Sequence, residues 1–128
     1  MPKLPTILLA EDEILIRNMV ESLFGSLGYG VISAVDGLEA VQKFRENSDK
    51  IDLLLFDIKM PKKSGLEAYD EISLVKAEMK VIFTSGYTYA PEDVHLRARE
   101  SPNVMWLSKP YLTSQLLELV QKMLDREI

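Results

Sequence analysis

The chain has 128 residues, 47% hydrophobic and 27% charged, with a formal net charge of −5 and no cysteine. That balance belongs to one globular domain, able to bury roughly two-thirds of its unfolded surface without disulfides or a thiolate metal site. The negative charge argues against a nucleic-acid binder, no apolar run is long enough to span a bilayer, and residues 1–5 are too short and polar for a signal peptide, so a cytoplasmic location is expected.

Short apolar runs alternate with helical periodicities along the chain. Residues 6–10 (TILLA) form the first run, which stops at Glu11-Asp12-Glu13. Ile16, Val20, Leu23, Phe24 and Leu27 then fall at helical spacing, and Gly28 offers a C-terminal stop. Leu15 lies off that stripe. Residues 31–35 (VISAV) are the second run, after which Asp36 and Glu39 predict a capping box and Leu38, Val41 and Phe44 one helix face.

The third run, residues 51–56 (IDLLLF), ends in Asp57. Gly65 to Val75 predicts a helix, with Leu66, Tyr69, Ile72 and Val75 at a spacing of three. Residues 81–83 (VIF) lead into Thr84-Ser85-Gly86, and a weaker helix is expected from Pro91, in whose first turn Glu92 and Asp93 suit the helix dipole. Residues 104–107 (VMWL) end in Ser108-Lys109-Pro110, and Leu116, Leu117, Val120, Met123 and Leu124 stripe the last helix. Five strand–helix pairs in strict alternation, with strands apolar throughout, predict a three-layer α/β domain built on a parallel sheet.

Ligands of such sheets bind at the carboxyl ends of the strands. Those ends carry Glu11 and Asp12, then Asp57, Thr84 and Lys109, and only the second brings nothing reactive. Any one of these groups alone would read as a turn former or helix cap. Together they suit one ligand. Two like charges about 4 Å apart cost on the order of 4 kcal/mol at an effective dielectric of about 20, so the carboxylates would protonate or recruit a cation. Oxygen-only ligands open to water suit Mg²⁺ or Mn²⁺. An aspartate beside such a cation and a lysine is a plausible nucleophile toward phosphorus.

The acidic pair Glu11-Asp12, Asp57 followed by Met60-Pro61 and Gly65, Thr84, and Lys109-Pro110 resemble the receiver domains of response regulators over the whole chain. The resemblance implies a single receiver domain over residues 1–128, with the doubly wound, flavodoxin-like (βα)5 fold and sheet order 2-1-3-4-5. Asp57 would be the phosphoacceptor, served by a histidine kinase or a histidine phosphotransferase. Asp12, Asp57 and the backbone carbonyl of Lys59 would ligate the metal, with Glu11 acting through water. Lys109 would pair with the phosphoryl oxygens, Thr84 would be the switch hydroxyl, and Trp106 falls at the aromatic switch position. Leu15, Met19, Pro110 and Tyr111 are the candidate partner contacts. The resemblance implies a signalling switch working through the face of the fourth helix, fifth strand and fifth helix, either alone or as part of a longer protein. The alternatives are a Mg²⁺-dependent phosphatase with an aspartyl nucleophile, and an interaction module that takes no phosphate.

Two features depart from the family pattern. Lys62-Lys63-Ser64 makes the stretch after Asp57 basic and reads as a solvated loop, although Lys59 would be placed to alter the lifetime of an acyl phosphate. Trp106 is bulkier than the usual Tyr or Phe, and its N–H needs a partner if buried. His95, the single histidine, reads as a surface residue.

Overall fold

The computed structural model describes residues 4–125. Five strands, β1 (Thr6–Ala10), β2 (Gly30–Ala34), β3 (Ile51–Asp57), β4 (Lys80–Ser85) and β5 (Val104–Ser108), alternate with five helices. These are α1 (Ile14–Ser26), α2 (Gly37–Asn47), α3 (Gly65–Val75), α4 (Glu92–Glu100) and α5 (Thr113–Leu124). The strands pair in parallel in the order β2-β1-β3-β4-β5, the doubly wound arrangement expected. Among the described residues, no helix is long and apolar enough to cross a membrane.

Alternate residues of the central strands point to opposite faces, so the sheet divides the interior into two cores. Leu54 and Phe56 of β3 join Val41 and Phe44 of α2, Tyr69 and Ile72 of α3, and Val94 of α4. Leu53 and Leu55 join Val20 and Phe24 of α1 and Leu116, Val120 and Met123 of α5. Three helices therefore cover one face and two the other. The central strands are buried on both faces, which is why they read as unbroken apolar runs.

Several expectations are corrected at the helix ends. Leu38 is 52% exposed because the buried stripe of α2 is Gly37, Ala40, Val41 and Phe44, and Leu38 stands about 100° off it. Leu27 is the C-cap of α1 and is exposed, while Gly28 at φ +92° makes the left-handed turn beyond it. Val35 falls just past β2, and Val75, at the last turn of α3, is half exposed. Pro91 is the N-cap of α4 rather than a first-turn residue.

Candidate functional site

The carboxyl edge of the sheet brings the predicted groups together. Parallel registry sets Ala10 beside Phe56 and Asp57 beside Thr84, so residues just beyond one strand end meet those of the next. Backbone bonds from the Glu11 N–H to the Ala34 carbonyl (3.1 Å), from Ile58 to Thr84 (2.9 Å) and from Lys109 to Ser85 (2.7 Å) fix the strand ends to one another. One carboxylate oxygen from each of Glu11, Asp12 and Asp57 lies within 4.8 Å of the others. Glu11 and Asp57 are buried, and Asp12 faces solvent.

Lys109 closes the cluster. Its Nζ donates to Glu11 Oε1 at 2.7 Å and approaches Asp57 Oδ2 at 3.2 Å. The second oxygen of Glu11 accepts the Glu13 N–H at 3.1 Å, and the Arg17 guanidinium donates to the Glu11 carbonyl at 2.8 Å. Burial, and next the charge of Glu11, push the Asp57 carboxyl up to about 7, against the lowering influence of Lys109. Burial opposes the charge on Lys109, but its bond to Glu11 and the charges of Asp57 and Glu11 prevail and raise its pKa. One ammonium is shared by two carboxylates, and Glu11 holds the shorter contact. Asp57 is therefore the under-compensated member, which agrees with both directions.

A cavity of about 610 Å³ opens above this cluster, lined by Asp12, Asp57, Lys59, Lys109 and Gly86 on the polar side and by Ile16, Met19, Pro110 and Tyr111 on the other. Met19, Pro110 and Tyr111, three of the candidate partner contacts, thus edge the cavity, while Leu15 stands outside it, 81% exposed. Burial and the nearby Glu11 charge push the Tyr111 hydroxyl up to about 12, so it stays protonated. Thr84 is buried beside Asp57, but the wall of the cavity at that strand end is supplied by Gly86.

Residues that sequence reasoning passed over complete the site. Ser85 is buried and its Oγ accepts the Trp106 indole N–H at 2.9 Å, so Trp106 is a bonded, half-buried side chain packed on the three-helix face. The basic stretch is solvent-exposed as expected at Lys59 and Lys62, yet the charges of Lys62 and Lys63 are paired. Lys63 Nζ lies 2.6 Å from Glu71, Lys62 Nζ lies 3.7 Å from Asp36, and Ser64 caps α3 with Glu67 in a reciprocal box. Gly65 has its own reason: a Cβ there would lie 2.2 Å from the Asp57 carbonyl oxygen, so α3 starts against the end of β3 only with glycine. His95 is exposed as expected.

A doubly wound sheet with three carboxylates and a lysine at its carboxyl edge defines a class of signalling domain. The response regulator receiver domain family matches residues 7–121, and the chain belongs to that family. The transcriptional regulatory protein PdtaR of Mycobacterium tuberculosis is 32% identical over 94% of this chain, which spans 57% of that relative's length. A response regulator receiver domain protein from Clostridium thermocellum is 29% identical, with a TM-score of 0.85 and 96% of both chains covered. The response regulator TrrA of Thermotoga maritima, solved in complex with Mg(2+)-BeF, is 32% identical with a TM-score of 0.78, covering 94% of this chain and 99% of its own.

Proposed function

We propose that the chain is a phosphorylation-dependent switch of a two-component system, with Asp57 as the acceptor. The observation that carries this reading is the buried Asp57 carboxylate 3.2 Å from the Lys109 ammonium within a set of three carboxylates. A carboxylate oxygen of Asp57 attacks phosphorus of a phosphohistidine on a histidine kinase or a histidine phosphotransferase. The O–P bond forms, the P–N bond breaks, and the electron pair returns to the imidazole. The product is an acyl phosphate on the protein.

The acidic cluster fits a small hard cation, since it offers only oxygens, stands partly open to water and carries more negative charge than one lysine offsets. Asp12, Asp57 and the Lys59 carbonyl would hold Mg²⁺ or Mn²⁺, with Glu11 reaching it through water. TrrA, which takes Mg²⁺ and BeF together, supports this. Bound there, the ion would neutralise charge on the transferring group and screen the acceptor carboxylates from one another.

Lys109, held by Glu11, supplies the second positive charge toward the phosphoryl oxygens. The new group adds a charge of about −1.5 to −2 and three acceptors. Thr84 donates to it, and the bond from Trp106 to Ser85, the next residue, couples that movement to the face of α4, β5 and α5. A hydroxyl bonded to a charged group is worth roughly 1.5–3 kcal/mol, enough to change which conformer dominates. The domain assists its own phosphorylation and its own hydrolysis and turns over no separate substrate. Leu15, Met19, Pro110 and Tyr111 receive the phosphoryl donor.

Incubation with acetyl phosphate and Mg²⁺, followed by intact mass, is the test. One phosphoryl adduct per chain, abolished by EDTA and by Asp57→Asn, is expected. Multiple turnovers on phosphate esters would replace the switch with a phosphatase, and no adduct at all would leave an interaction module.

A further inference from the structure

The start of α2 has no part in the chemistry above, yet it touches the loop that carries Lys59. Between Asp57 and α3 the chain makes a γ-turn: Lys62 has φ +68°, and the Lys63 N–H donates to the Pro61 carbonyl at 2.7 Å. A non-glycine residue in that region persists only where its surroundings hold it. Two of the holding contacts come from the start of α2. The Gly37 N–H donates to the Lys63 carbonyl at 3.0 Å, and Asp36, buried as the N-cap of α2, faces Lys62 at 3.7 Å.

The approach is so close that a Cβ on Gly37 would lie 2.1 Å from the Lys63 oxygen and 2.7 Å from its carbonyl carbon. Both are backbone atoms and cannot swing aside as a side-chain tip can. Moving them moves the turn, and with it Lys59 on the cavity rim. Gly65, at the far end of the same loop, is held by its N–H to the Ile58 carbonyl at 2.9 Å, which anchors the start of α3.

We infer that Gly37 is a positioning residue for the metal site: its contact with Lys63 holds the strained turn that sets the Lys59 carbonyl in place. The inference rests on the cation site proposed above. Outer-shell changes of this kind weaken metal binding by about ten- to a hundredfold.

The test is Mg²⁺ titration by calorimetry, with urea unfolding in EDTA run in parallel. Wild-type protein that binds no Mg²⁺ would sink the site itself, whatever Gly37 does. Given wild-type binding, Gly37→Ala is expected to weaken it on the order of tenfold. Gly30→Ala, whose Cβ would meet the Thr6 Oγ1 at 2.6 Å at the opposite end of the sheet, is expected to lose stability and keep its affinity. Lys62→Val and Lys62→Asn provide a second arm on an exposed side chain. Valine resists positive φ and asparagine tolerates it, so valine should weaken Mg²⁺ binding and asparagine should keep it. Wild-type affinity in both Gly37→Ala and Lys62→Val would overturn the inference. Should Gly37→Ala not fold, equal affinities of the two Lys62 variants would overturn it alone.

Discussion

Lys109 donates to Glu11 at 2.7 Å, closer than it comes to Asp57 at 3.2 Å. The lysine expected to serve the phosphoryl group is thus aimed by a carboxylate that follows β1, separated by two strands from the lysine's own β5, and two buried acids depend on it. Lys109→Met should destabilise the metal-free protein by about 1–3 kcal/mol at pH 8. The loss should shrink at low pH as the carboxylates protonate. Urea unfolding at both pH values checks it, and a loss that does not vary with pH would contradict the shared-ammonium geometry.

Asp57 itself should make the metal-free protein less stable at neutral pH. Its carboxyl is raised from the ordinary 3.8 to about 7, so between those values the folded chain holds a proton that the unfolded chain has released. Stability from this group is fullest below about pH 4 and is lost as pH rises through about 7. Asp57→Asn removes the dependence. In EDTA at pH 8 the variant should be more stable than wild type, on the order of 2 kcal/mol, and the gap should close toward pH 4. Saturating Mg²⁺ should also narrow it. Parallel unfolding curves at both pH values would refute this.

Trp106 is the single tryptophan, so its fluorescence reports on one bond. Ser85→Ala leaves the indole N–H without its 2.9 Å partner and should cost about 1 kcal/mol. The emission spectrum should shift. Mg²⁺ with beryllium fluoride should change the wild-type signal, and less so in Ser85→Ala if the bond carries the coupling. Identical responses in the two proteins would separate Ser85 from the switch.

α4 is thinly anchored, with Val94 its single buried residue, and the Arg97 guanidinium grips Asp70 of α3 through Nε at 2.9 Å and Nη2 at 2.6 Å. Arg97→Ala should speed amide exchange across 92–100 while leaving global stability within about 1 kcal/mol. Asp70→Ala should do the same, and the double variant should add nothing. Unchanged exchange in α4 would show that its packing on β5 suffices.

Much of this was legible in the residues because apolar runs and abrupt polar endings are local signals. α3 starts and ends at Gly65 and Val75 as its spacing predicted, and Glu11, Asp12, Asp57 and Lys109 meet because parallel strands place their endings on one edge. What stayed hidden depends on who faces whom. The stripe of α2 is set by Gly37, Ala40, Val41 and Phe44, so small residues displaced Leu38 from the face it was expected to share. The pairing of Lys62 and Lys63 stayed hidden because their acidic partners, Asp36 at the start of α2 and Glu71 of α3, are remote in sequence or on the far side of a turn. Ser85 was invisible for the same reason: nothing local says that its hydroxyl meets an indole on the next strand.

The five-stranded sheet separates Ile16, Met19 and Tyr111, which pack on the α1 and α5 side, from Trp106 on the side of α2, α3 and α4. A protein leaning on the first group and another leaning over the indole would stand on opposite sides of a wall. Should the donor dock on the first group as proposed, the indole side would stay open to a second protein, and α5, which borders both faces, is where the two would come nearest.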